Sequence, residues 1–207
     1  MNDPLFWRQQ RDHRYDPHIS SINRLVDALC REAGARMPYV APHYGGIEAE
    51  VLFIFQDPGG GTDESRDGSG FLCAENADDS AELFSECLDQ VGLAPNRTIT
   101  WNASPWWRAK PRSRPLVGEL EAGVEPTMRL LSLLKKLEVV MLMGTAARDG
   151  WEKLCSRHPA METRYHVIRS LHTSPLGITN GSQHSKAEGV AKVIASMRDA
   201  LAKINPP

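Results

Sequence analysis

The sequence predicts an α/β protein in which helices cover both faces of a mostly parallel sheet. Two observations carry this. Four short apolar runs, each bounded by turn residues, read as strands. Amphipathic stretches separate or flank them, and strand–helix alternation is the mark of a parallel sheet with helical layers on either side. The 207 residues suit a single domain over 1–207, at about 100–200 residues per domain. Residues 1–45 form a helical extension packed on it.

The first helix candidate is Ser20–Gly34, with Ile22, Leu25, Val26 and Leu29 on one face. The first strand candidate is Glu50–Gln56 (EVLFIFQ). Ser80–Gly92 repeats apolar residues at Leu83, Phe84, Cys87, Leu88 and Val91, with Gly92 suited to end the helix. The second strand is Thr98–Ala103 (TITWNA). A helix over Pro126–Leu137 starts on a proline, which suits a first turn. The third strand, Glu138–Gly144 (EVVMLMG), is followed by a helix over Thr145–Cys155. The fourth strand spans Arg164–His172 (RYHVIRSLH), and a helix over Ser185–Ile204 closes the chain. Two segments interrupt the pattern: Asp57–Gly70, rich in Gly and Asp, and Ser104–Pro115, basic and rich in Pro and Trp. Both follow strands, which places them at the carboxyl edge of the sheet, where open α/β folds bind ligands.

Composition narrows the class. Hydrophobic residues make up 41% and charged residues 24%, an ordinary globular balance that excludes a disordered or collagen-like chain. No apolar run approaches the roughly 18 residues that span a bilayer. The opening MNDPLFWRQQRDHRYD has no signal-peptide core. Cys30, Cys73, Cys87 and Cys155 lie far apart without a Cys-x-x-Cys. The expectation is a cytoplasmic, monomeric protein with reduced thiols, no cofactor and no metal. The net charge of −2 hides an asymmetry. Residues 1–100 balance to −9 and residues 101–207 to +7, and Arg108, Lys110, Arg112 and Arg114 stand together without an acid between them. Such a cluster is either a solvated loop or a polyanion-binding face.

Each strand delivers a residue of chemical interest to the same rim. Gln56-Asp57-Pro58 closes the first strand, Asn102 the second, Gly144 the third and His172-Thr173-Ser174-Pro175 the fourth. An acid, an amide and an imidazole together can handle protons and read hydrogen-bonding edges. Taken singly, each has a plainer reading. Asp57 before Pro58 can be a turn residue, Asn102 a satisfied buried amide, and His172 a loop histidine without a role. Gly59-Gly60-Gly61 lacks the Gly-Lys-Ser/Thr of a phosphate loop. Asp57, His172 and Ser174 could be drawn as a hydrolase triad, but the Gly-x-Ser-x-Gly elbow is absent.

These residues, in order, resemble the uracil-DNA glycosylase superfamily. Gln56-Asp57-Pro58 matches the family's Gly-Gln-Asp-Pro signature with Phe55 in place of the glycine. His172-Thr173-Ser174-Pro175-Leu176-Gly177 matches His-Pro-Ser-Pro-Leu-Ser at four of six positions. Asn102 falls where the family has its uracil-reading asparagine, and Phe71 where it has its base-stacking phenylalanine. The resemblance covers about residues 50–200. It implies a three-layer α/β/α fold around a four-stranded parallel sheet, and hydrolysis of the bond between uracil and deoxyribose in DNA. Asp57 and His172 would be catalytic; Gln56, Gly59, Phe71 and Asn102 would hold the base. Ser174, Pro175 and Leu176 would press the minor groove, with Arg108, Lys110, Arg112 and Arg114 on phosphates and Trp106 and Trp107 beneath them or against a sugar.

The departures from the signatures have consequences. Gly59 stands where one family branch has a tyrosine that blocks the methyl of thymine, which implies a broader base range. Thr173 replaces a proline, which implies a less rigid wedge loop. Glu75 and Asn76 sit near Phe71 without an assigned role. Two rivals remain open on sequence: a catalytically weak DNA- or inhibitor-binding module on the same fold, and a small-molecule hydrolase using His172 and Ser174.

Overall fold

A computed structural model describes residues 4–108, 114–183 and 185–205. The chain opens with two helices, α1 (Pro4–Asp12) and α2 (Ser20–Ala33), and then a two-residue strand β1 (Tyr39–Val40). Strand β2 (Val51–Phe55) leads into a loop of 3-10 turns and the short strand β3 (Phe71–Leu72). Helix α3 (Asp79–Val91) is followed by β4 (Thr98–Asn102), α4 (Val117–Ala122) and α5 (Val124–Leu133). Then come β5 (Val139–Met143), α6 (Thr145–Arg157), α7 (Met161–Arg164), β6 (His166–Ser170), α8 (Pro175–Ile178) and α9 (Lys186–Ile204).

The main sheet has strand order β4-β2-β5-β6, and every neighbouring pair is parallel. Its inner strands are apolar throughout because both faces are covered. Leu52, Ile54, Ile99, Trp101, Val140 and Leu142 join a core with residues of α2, α5 and α6. Their alternates Val51, Phe53, Val139, Met141 and Met143 join a second core with α3 and α9. The period of two thus splits β2 and β5 between two cores, and the result is the three-layer α/β/α architecture that the sequence predicts. Among the described residues, no helix is long and apolar enough to cross a membrane.

The structure corrects several details. The helix expected to start at Pro126 starts at Val124, with the proline inside its first turn, where no intrahelical donor is lost. The fourth strand begins at His166 because Met161–Arg164 forms a helical turn. It is an edge strand with His166 and Arg169 exposed, so its apolar run is broken. The strands β1 and β3 pair with each other in a small separate sheet, and two-residue strands carry no periodicity to read. Trp7 and Ile22 place α1 and α2 on the same core as the sheet.

Candidate active site

Parallel strands end at one rim, and hydrogen bonds carry the pairing past those ends. Phe55 lies opposite Asn102 in register. Beyond them, the Ala103 N–H donates to the Phe55 carbonyl at 2.9 Å and the Ser104 N–H to the Gln56 carbonyl at 3.0 Å. This extension sets Asp57 and Asn102 on neighbouring chains. On the other side of β2, the Gly144 N–H donates to the Ser170 carbonyl at 3.0 Å, which brings the His172 segment alongside the end of β5. A cavity of about 720 Å³ opens there, lined by Asp57, Asn102, Gly144 and His172 among others. Its size is that of a small-ligand site.

His172 is wedged between two glycines. A Cβ on Gly144, whose φ is +89°, would stand 3.0 Å from the His172 Cβ; one on Gly177 would stand 2.6 Å from it. Only glycine allows this approach. The imidazole also meets the Phe55 ring edge to face, with centroids 5.5 Å apart. Its Nδ1 accepts the Ser174 N–H at 3.0 Å. In the neutral ring the proton therefore sits on Nε2. Burial pushes the His172 pKa below its ordinary value, and the charges of Asp57 and Asp78 pull it part of the way back. The site thus holds a neutral imidazole whose Nε2–H is a donor.

The loop after His172 is tied to α3 through Thr173. Thr173 is buried, and its hydroxyl donates to the Ser80 carbonyl at 2.9 Å while lying 3.0 Å from the Ser80 hydroxyl. Ser80 is in the first turn of α3, where Asp78 accepts the Ser80 and Ala81 N–H groups as N-cap. Ser174 caps α8 by accepting the Gly177 N–H at 3.2 Å. Ser174 reaches His172 through its backbone, so the drawn triad lacks its bond between hydroxyl and imidazole. Pro175 and Leu176 project from this loop, and Leu176 is 70% exposed.

Asn102 is 3% exposed, and its Nδ2 has no partner among the described residues. A buried amide donor without an acceptor is costly, and Asn102 shares that state with Tyr44, Thr100 and Trp101, which line the same cavity. Gln56, Gly59 and Ser174 also line the cavity. Gly59 has φ −70° and ψ 163°, and an added Cβ would meet nothing within 4 Å, so no steric rule demands glycine there.

Phe71 is elsewhere. Its ring is 1% exposed in the core, stacked with Trp7 at 6.5 Å and tilted against Tyr39, and it does not line the cavity. The aromatic side chains lining the cavity are Tyr44, Phe55, Phe84, Trp101 and Trp107. Asn76, buried beside it, donates to the Phe71 carbonyl at 3.0 Å and accepts from the Ser69 hydroxyl at 2.7 Å, so it holds this turn. Trp107 is tied by its Nε1–H to the Thr62 hydroxyl at 2.9 Å, with the Arg36 guanidinium over its ring, whereas Trp106 packs against the core.

The basic segment divides. Lys110 and Arg112 lie outside the described residues. Arg114 lines the cavity and pairs with Asp149 at 3.0 Å. Arg108, expected on phosphates, is turned inward: its Nε and Nη2 both donate to Asp57 Oδ2, the former at 2.9 Å. Sequence reasoning missed this pair, and the Thr173–Ser80 clasp with it. The Asp78 cap alone left a local signal, in Asp78-Asp79-Ser80 ahead of an amphipathic run.

The family model described as "Uracil DNA glycosylase superfamily" matches residues 42–196. The chain belongs to the uracil DNA glycosylase superfamily. Membership supports a hydrolase of the glycosylase kind and DNA as the substrate polymer. Among solved structures, the chain is similar to the protein of "The crystal structure of WT Pedobacter heparinus SMUG2", at 14% identity and a TM-score of 0.47. That alignment covers 94% of this chain and 97% of the other. No curated protein sequence matches the chain.

Proposed function

We propose that this protein removes uracil from DNA by hydrolysing the N-glycosidic bond, as the first step of base excision repair. The observation that carries the reading is the meeting of Asp57, Asn102 and His172 in one cavity at the carboxyl rim of a parallel sheet, within a chain of this superfamily.

The base must leave the stack before C1′ is accessible, and the rim cavity can receive it. Asn102 Nδ2 would donate to uracil O4 while its carbonyl accepts N3–H. Cytosine reverses both polarities and would leave two buried groups unpaired. The His172 Nε2–H would donate to O2 as the C1′–N1 bond breaks and the electron pair moves onto the base. The Asp57 carboxylate would face the cationic sugar and orient water. The water oxygen then bonds C1′, and its proton neutralises the departing uracil anion, giving free uracil and an abasic deoxyribose. Because Phe71 is a core residue, Phe55 beside His172 is the proposed aromatic partner of the base. Exposed Leu176 would fill the vacated stack from the minor groove.

The open space beside Gly59 favours a base range wider than uracil. The test is incubation with single- and double-stranded oligonucleotides carrying uracil, hypoxanthine or a G·T mismatch, followed by alkaline cleavage. Cleavage at uracil is expected. Hydrolysis of small esters without base release would favour a small-molecule hydrolase instead.

A further inference from the structure

Asp57 is the carboxylate that the proposed reaction needs to face a cationic sugar, yet Arg108 sits on it. The two side chains are 14% and 9% exposed, and two N–H groups of the guanidinium converge on the single oxygen Oδ2. The third arm, Nη1, donates to the Arg114 carbonyl at 3.1 Å. Arg108 therefore links Asp57 to Arg114, and all three residues line the cavity. While this pair stands, the carboxylate's charge is directed at the guanidinium and not at a sugar.

Removing a partner from a buried pair leaves an uncompensated charge, so Arg108 leaves Asp57 only where a stronger partner is offered. DNA supplies one. Phosphate oxygens match a guanidinium fork better than one carboxylate oxygen does. The glycosyl cation that forms as the bond breaks replaces the guanidinium at Asp57. The pair has a second use before contact, because a bare carboxylate in the cavity would repel an approaching phosphodiester, and the guanidinium cancels it.

We propose that Arg108 couples phosphate binding to the release of Asp57: it masks the carboxylate in the DNA-free protein and moves to a backbone phosphate when a strand is seated. This rests on the glycosylase reading. Arg108 is then a positioning residue that acts through Asp57.

Two measurements test it. The first compares Arg108→Gln with wild type on a uracil-containing duplex and on a trinucleotide with central uracil, which offers few phosphates. The variant should raise kcat/KM on the trinucleotide at least threefold. On the duplex it should weaken Kd and lower the log–log salt slope by about 0.9. A fall by the same factor on both substrates, with an unchanged salt slope, would mean that Arg108 belongs on Asp57 throughout and would overturn the proposal. The second needs no variant: a crystal structure of the wild type on duplex DNA carrying a cleavage-resistant 2′-fluoro uridine. Arg108 should contact a phosphate, and Arg108 still seated on Asp57 would overturn the proposal. Failure of the wild type to release uracil from the duplex is a separate result, and it would overturn the glycosylase reading itself.

Discussion

The backbone N–H of Ser174 donates to Nδ1 of His172 at 3.0 Å, so a residue two positions along the chain decides which imidazole nitrogen carries the proton. The donor the cavity receives is Nε2–H on a neutral ring. At neutral pH, nitrogen NMR of the free protein should show His172 uncharged with its proton on Nε2. A protonated ring would contradict the assignment.

The same burial links stability to pH. The folded pKa of His172 lies below its ordinary value of 6.5. Between the folded and unfolded pKa values the unfolded chain binds the extra proton. The contribution is therefore fully present above 6.5 and is lost as pH falls through the folded pKa. Thermal melting should decline from about pH 7 towards about pH 5, and His172→Gln should show a shallower decline. Parallel declines would place the linkage in other groups.

Asn102→Asp removes the buried Nδ2 donor and adds an acceptor suited to cytosine N4–H₂. Mispaired polar groups are rejected strongly, by about 10⁴-fold in sites built around a hydrogen bond. Uracil excision should collapse, with faint excision of cytosine. Wild-type uracil excision in the variant would make Asn102 a structural amide.

Gly59→Tyr should fold normally, because the backbone there is extended and the space is open. The ring would fill the region beside C5 of a bound pyrimidine. Excision of 5-hydroxymethyluracil relative to uracil should fall in the variant, with an unchanged melting temperature. Equal ratios in the two proteins would show that Gly59 is not the gate.

Thr173→Val keeps the shape and removes the hydroxyl that binds Ser80. Two neutral hydrogen bonds at about 1 kcal/mol each set the expected loss of stability at roughly 1–2 kcal/mol in urea unfolding. The catalytic rate should fall with it, since His172 and Leu176 ride on the same loop, and Thr173→Ser should restore both. A valine variant with full stability and rate would show that the clasp is incidental.

Much of the fold is legible in the sequence, for a local reason. β2 and β5 are buried on both faces, so each is a short apolar run, while β4 alternates Ile99 and Trp101 with buried polar residues, and the strand ends announce Asp57, Asn102 and Gly144. What is not legible depends on distance along the chain. Arg108 and Asp57 are 51 residues apart and Thr173 and Ser80 are 93 apart, and neither pair leaves a periodic trace. A cluster of bases reads as a surface whether or not one of them turns inward. Phe71 shows the same limit from the other side: an aromatic ring between a glycine and a leucine suits a stacking platform and a core equally. Trp7, far away in sequence, decides it.

The most direct measurement counts free uracil and abasic sites released from a uracil-containing oligonucleotide under single-turnover conditions, for wild type and Asp57→Asn. Wild type should release one free uracil per abasic site. Asp57→Asn should be about 10²–10³ slower, the usual cost of one electrostatic group at a reacting centre. No free uracil from the wild type would contradict uracil excision, and an Asp57→Asn rate within about threefold of wild type, well short of that cost, would contradict the role of Asp57.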